Sequence, residues 1–272
     1  MNKPTVIANP WQRLRHFTAA RVGLGRAGSS IPTKELLAFQ LDHARAQDAV
    51  HLPLNIEKIS AELAELHDVT PPLVLQSQAR DRFEYLQRPD LGRRLNENSR
   101  QLLQTANQNP QTRYDLSIVV ADGLSSQAIQ ENIAAFVSHL LAVLKSDQHP
   151  WQVAPLTLVT QGRVAIADEI GELLNSDAVL MCIGERPGLS SPDSLGLYLT
   201  WQPHPGRNDA ERNCISNVRP LGLSYSEAVT RLMYLLKESR RLQLSGVNLK
   251  DRTKSDVVEL QSGAKNFLLP GQ

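Results

Sequence analysis

Through the first hundred or so residues, apolar positions recur at steps of three and four, the period of a helix, and no alternating strand pattern appears. Ile56, Ile59, Leu63 and Leu66 make the clearest stripe. Upstream, Ser30 followed by Pro32 marks a helix start for TKELLAFQLDHARAQDAV. Leu37, Leu41 and Ala44 lie along one side of that helix, which predicts an amphipathic segment packed inward.

From about residue 115 the texture changes to short β-rich apolar runs separated by helical segments, the signature of a βαβ succession. LSIVVA (116–121) is the first predicted strand. The segment QAIQENIAAFVSHLLAVLK then places Ile129, Ile133, Phe136, Leu140 and Leu144 on one helical face, with Ser125 or Ser126 as its cap. LTLVT (156–160) and AVLMCI (178–183) follow as strands, with a helix through Ile166, Ile170 and Leu173 between them. Their unalternated apolar character is that of parallel strands buried on both faces. LGLYLTW (195–201) is a candidate further strand, and Ser224 with Glu227 forms a capping box that opens a long last helix stopping near Gly246. The pattern predicts an α/β fold: a helical N-terminal region over 1–112, then a Rossmann-like, mostly parallel sheet flanked by helices over 113–252. Residues 253–272 contain DVVELQ and NFLLPG without a strong period, so an ordered extension and a loose tail both remain open.

Composition narrows the partners. The 272 residues suit one large domain or two of ordinary size, and 41% hydrophobic with 21% charged residues is the makeup of a globular chain. Lys and Arg number 29 against 28 Asp and Glu, a net charge of +1 that gives no pull toward nucleic acid or anionic lipid. The apolar runs are far shorter than the roughly 20 residues a membrane span requires. MNKPTVIANPWQRLRHF carries prolines, Trp11 and basic residues ahead of any apolar stretch, the wrong order for a secretory signal, and predicts a cytoplasmic protein. Cys182 and Cys214 fit no CxxC motif or disulfide framework and are expected to be free thiols in a reducing compartment.

In open parallel sheets, ligands bind beyond the carboxyl ends of the strands. Those positions here read Asp122-Gly123-Leu124-Ser125-Ser126, Gln161-Gly162-Arg163-Val164 and Gly184-Glu185-Arg186-Pro187-Gly188. Glycine lets the backbone approach a ligand, while Asp122, Arg163, Glu185 and Arg186 supply charge and hydrogen bonds. Turn and capping needs alone can place Gly, Asp and Ser in any one such loop, and a lone Asp122 is more often a turn residue than an acid catalyst. Three loops of this kind together weigh about as much for a site as for turn and capping needs. Other constellations fail: the seven histidines are scattered, and HExxH, paired Cys ligands, a P-loop, GxGxxG and the GxSxG elbow are all absent. Cys214, in ERNCISNVRP, reads either as a small buried hydrophobe or, from its polar neighbours, as a loop thiol placed for a contact.

Several of these segments together resemble the small subunit, or light chain, of ethanolamine ammonia-lyase. The resemblance runs through ARVGLGRAG (20–28), LLAFQLDHARAQDAV, RPDLGRRL (88–95), ADGLSS (121–126), QGRVAIADEIGELL (161–174), IGERPGL (183–189), CISNVRP (214–220) and SGVNL (245–249). It implies a large-subunit partner, a TIM barrel that binds ethanolamine, in a hexamer of heterodimers holding adenosylcobalamin between the two chains. The N-terminal region would then carry the large-subunit and assembly contacts. The family's corrin-contacting valine, glutamate and cysteine carry over to Val164, Glu185 and Cys214. The implied reaction converts ethanolamine to acetaldehyde and ammonia by homolysis of the cobalt–carbon bond and radical amino-group migration, with no catalytic or metal-ligating residue on this chain. The DxHxxG motif is missing, so the resemblance implies base-on cobalamin and no ligation by His43 or its neighbours. The family-like region starts near residue 10, which leaves no room for the extension that addresses some members to a bacterial microcompartment. Two readings compete from the rim loops and the helical half alone: a self-sufficient α/β nucleotide-binding enzyme, and a non-catalytic assembly module.

Overall fold

The computed structural model describes residues 9–18, 20–66, 71–107 and 112–253. Its centre is a six-stranded sheet in the order β1-β3-β2-β4-β5-β6, built from Leu73–Gln76, Thr157–Thr160, Tyr114–Ala121, Ser176–Gly184, Leu195–Trp201 and Arg212–Val218 in that spatial order. The β1–β3, β2–β3 and β2–β4 pairs are parallel, while β5 and β6 add antiparallel to the β4 edge. The carboxyl ends of β1 to β4, the start of β5 and the end of β6 therefore share one edge.

Helices cover both faces. Along β2, Leu116, Ile118 and Val120 pack with α2 (Ile56–Leu66), α5 (Ser126–Ser146) and α7 (Tyr225–Leu242), whereas Val119 and Ala121 pack with α4 (Glu97–Ala106) and α6 (Ile166–Leu173). Burial on both sides is why these strands show no alternation in sequence. Ser125 caps α5 by accepting from Ala128 N, and Ser224 caps α7 by accepting from Glu227 N, as the sequence predicts.

Three features differ from the sequence reading. The N-terminal stretch contains β1, a four-residue edge strand after Pro71 and Pro72 that is too short to show a period. The helix over Thr33–His51 (α1) forms where expected, but Ala49 is its one buried residue, and Leu37, Leu41 and Ala44 are exposed rather than packed inward. CISNV is strand β6, not a loop: an edge strand half open to solvent accepts polar residues at its outward positions. The fold class stands as read, a helical N-terminal region with a mostly parallel sheet flanked by helices.

Salt bridges fix α6 beneath the sheet edge. Glu169 accepts from Arg94 Nε at 2.9 Å, Arg100 Nη2 at 2.8 Å and Leu95 N at 3.0 Å. Burial alone would raise this carboxyl, but these hydrogen bonds outweigh it and hold it below its ordinary value. Its neighbour Asp168 turns the other way and meets Arg212 of β6.

Candidate functional site

The three rim loops converge on that shared edge. Gly123 (φ +57) and Gly184 stack backbone to backbone: a Cβ on Gly123 would lie 2.3 Å from Gly184 O, and one on Gly184 would lie 2.0 Å from Ser125 O. Leu124 N donates to Gly184 O at 3.0 Å, closing the β2 loop onto the β4 loop. Glycine is required at both positions by this close approach.

Asp122 joins the second loop to the first. Its Oδ1 accepts from Gly123 N at 3.0 Å and Gly162 N at 3.2 Å, and its Oδ2 lies 3.7 Å from Arg82 Nη1. The turn-residue reading of Asp122 thus describes its work. Burial raises its carboxyl to about 6, partly opposed by Arg82 and the backbone donors. Because the folded chain keeps this proton above the unfolded value of about 3.9, the stabilisation is complete below about pH 4 and is lost as pH rises through the folded value near 6. Asp122→Asn is expected to flatten this part of the stability profile, whose slope is at most about 1.4 kcal/mol per pH unit. Urea midpoints between pH 4.5 and 7.5 for both proteins check it, since Asp168, also raised to about 6 by burial, titrates in both. Equal slopes would remove Asp122 as the source.

An open cavity of about 430 Å³ lies over these loops, lined by Tyr85, Leu124, Arg163, Val164, Ile183, Gly184, Glu185, Arg186 and Tyr198. Glu185 is held in place through one oxygen: Oε2 accepts from Ser194 Oγ at 2.8 Å and Asn217 N at 3.2 Å. Oε1 has no hydrogen-bond donor among the described residues. Val164 packs its side chain on the core cluster under α6, and its backbone N–H has no acceptor among the described residues. Cys214 stands beside the cavity rather than in its wall. In the β5–β6 ladder it pairs with Tyr198, which does line the cavity. Cys214 is an exposed residue, and partial burial still raises its thiol above the ordinary value, so it stays protonated at neutral pH. The structure therefore brings Val164 and Glu185 into one cavity and sets Cys214 next to it through Tyr198.

Tyr85, Arg82 and Tyr198 were not legible as site residues. Tyr85 lies in α3 (Arg82–Gln87), donates its hydroxyl to Gly162 O at 3.1 Å, and is flanked by the guanidinium groups of Arg163 at 4.2 Å and Arg82 at 4.9 Å from its ring centre. Arg82 ties three parts together, donating to Val50 O at the end of α1 and to Gly123 O, both at 2.6 Å. The one available signal was Tyr198 itself, a polar-tipped residue inside the aliphatic run LGLYLTW.

Comparison with known proteins covers almost the whole chain. The profile of the ethanolamine ammonia-lyase light chain matches residues 8–250. This chain belongs to the ethanolamine ammonia-lyase light-chain family. It is 52% identical to the ethanolamine ammonia-lyase small subunit of Pseudomonas fluorescens (strain Pf0-1), covering 99% of this chain and 98% of that one. It is 51% identical to the small subunit from Ralstonia nicotianae, over 97% and 96% of the two chains. The small subunit of Pseudomonas aeruginosa (strain UCBPP-PA14) is 52% identical over 96% and 94%. Membership of a light-chain family makes the chain one component of a lyase with a larger partner chain. Among the described residues no helix is long and apolar enough to cross a membrane, and no group of three or more His, Cys, Asp or Glu could hold a metal ion.

Proposed function

We propose that this chain is the cofactor-gripping subunit of an adenosylcobalamin-dependent ethanolamine ammonia-lyase, in which the carboxyl edge of its sheet holds the margin of the corrin against the large subunit. The observation that carries this reading is the open cavity whose wall joins the three rim loops and leaves an acceptor, Glu185 Oε1, and a donor, Val164 N–H, without partners in the chain. A corrin bears amide side chains around its rim, and an amide needs both kinds of group. The donor set thus fits the cofactor's edge, and a space of about 430 Å³ takes an edge rather than the whole.

Bound between the chains, adenosylcobalamin supplies the radical chemistry that turns ethanolamine into acetaldehyde and ammonia. This chain's own work is positional. Ser194 and Asn217 fix the Glu185 carboxylate, Val164 gives an apolar contact beside its N–H, and Cys214 with Tyr198 bounds the far side as neutral groups. Catalytic groups that handle ethanolamine belong in this reading to the large subunit, a TIM barrel in a hexamer of heterodimers within the cytoplasm. Exposed apolar residues support an edge covered by a partner: Phe83 in α3 is 70% exposed and Leu221, in the turn after β6, is 86% exposed, and both border the same rim. The exposed face of α1, with the rest of 1–112, suits further large-subunit contacts.

Mixing this chain with a cognate large subunit should give ethanolamine turnover with adenosylcobalamin that neither chain gives alone; an inactive mixture would overturn the assignment. Glu185→Ala should weaken cobalamin binding by the assembled pair by roughly 1–3 kcal/mol, about 5- to 150-fold, with the unfolding midpoint little changed. An unchanged dissociation constant would remove Glu185 from the grip.

A further inference from the structure

The cavity wall carries more positive charge than its neighbours neutralise. Arg163 and Arg186 both line it, and Arg82 backs Tyr85 from behind. Of the two carboxylates nearby, Glu185 has one oxygen committed to Ser194 and Asn217, and Asp122 lies buried beneath, held by backbone N–H groups with Arg82 at 3.7 Å. Neither makes an ion pair with Arg163 or Arg186, and those two have no ion-pair partner among the described residues.

Arg163 is held but not satisfied. Its guanidinium stacks on the Tyr85 ring with its centre 4.2 Å from the ring centroid, and Nη2 donates to Tyr85 O at 3.3 Å. Its backbone N–H is bound by Gly92 O at 2.7 Å, and Gly92 sits so close that a Cβ there would lie 2.8 Å from Arg163 Cγ. These contacts fix the side chain, yet its buried Nε has no acceptor, and neither has the buried Nη2 of Arg82. Next along the chain, the N–H groups of Val164 and Ala165 also lack acceptors, because the first turn of α6 binds only from Ile166 N onward. The acidic residues of that turn, Asp168 and Glu169, are spent on Arg212, Arg94 and Arg100.

We propose that the Arg163 corner of this cavity is an anion subsite that takes a phosphate ester, with Arg163 as the anchoring cation and the exposed Arg186 as the second one. A guanidinium held in place at the wall of an open space, with no carboxylate paired to it, is the chemistry that recognises a phosphate oxygen. The inference rests on the cofactor reading above, since cobalamin carries one such ester in its nucleotide loop; free phosphate is the other source of the same chemistry.

The test compares cobalamin with cobinamide, the corrin lacking the nucleotide loop, by absorbance-monitored binding to the assembled two-subunit complex. Arg163→Gln should weaken cobalamin by roughly 10- to 100-fold and cobinamide by less than about threefold, and Arg163→Lys should restore part of the difference. A variant that lost its fold would weaken both corrins alike, and Arg186→Gln, on an exposed residue, should show the same selective loss on a smaller scale. If both corrins weaken equally but inorganic phosphate strengthens cobinamide binding in the unaltered complex and not in Arg163→Gln, the corner takes free phosphate and the subsite stands. Equal weakening without a phosphate effect, or no weakening, overturns the subsite and leaves the cofactor reading intact. If the unaltered complex binds neither corrin, the cofactor reading falls, and the phosphorus resonance of inorganic phosphate mixed with the chain decides the corner: a shift lost in Arg163→Gln upholds it, and no shift overturns it.

Discussion

Exchanging Arg212 for methionine is expected to cost the chain about 3–5 kcal/mol of stability, read as a fall in the urea midpoint. Arg212 and Asp168 are each 2% exposed at the side chain, and they meet in a two-pronged pair, Nη1 to Oδ1 at 3.0 Å and Nη2 to Oδ2 at 2.7 Å. Nη2 also donates to Arg207 O at 2.9 Å. The pair joins α6 to β6, so it holds the helix that follows the Arg163 loop against the strand that carries Cys214. Methionine matches the bulk but leaves the Asp168 carboxylate buried and unpaired, and that uncompensated charge is the source of the loss. A Asp168→Asn, Arg212→Met double variant should therefore recover much of the stability. Losses that simply add in the double variant would contradict this cause.

The second large effect is expected from Gly184→Ala. Its new methyl would arrive 2.0 Å from Ser125 O and 2.6 Å from Asp122 O, both backbone atoms that no side-chain rotation can clear. The β2 and β4 loops must part, breaking the Leu124 N to Gly184 O bond and shifting Glu185, the next residue. Overpacking of this kind costs about 1–3 kcal/mol. The functional loss should exceed the stability loss: cobalamin affinity of the assembled pair should fall at least about tenfold at a temperature where the variant is fully folded. Binding at the unaltered strength by a folded variant would show that the spacing of these loops does not set the grip.

The legible part of this protein is the part governed by local rules. Ser125 and Ser224 announce their helices because capping is a short-range interaction, and β2, β3 and β4 show as apolar runs because both of their faces are buried. β1 is silent in the sequence because four residues at a sheet edge carry no period. β6 looked like a loop because its outward side chains, Asn213 and Asn217 among them, bind neighbouring turns rather than the core: Asn213 reaches Gly246 O and Leu249 O. The helix α1 has an apolar stripe, but its sequence could not say whether this chain or another covers it. At the site, the glycines and charges of the rim loops were visible as a pattern. Tyr85 and Arg82 were not, since they come from a short helix separated by some forty residues from Gly123 and about eighty from Arg163, and sequence shows no pairing over such distances.

The most direct measurement is a structure of the chain assembled with its large subunit and cobalamin. The corrin margin should lie in contact with Val164 and Glu185, with Cys214 alongside and the large subunit on the opposite side of the ring. Cobalamin bound elsewhere, with the carboxyl edge of this sheet open to solvent or covered by protein alone, would contradict it.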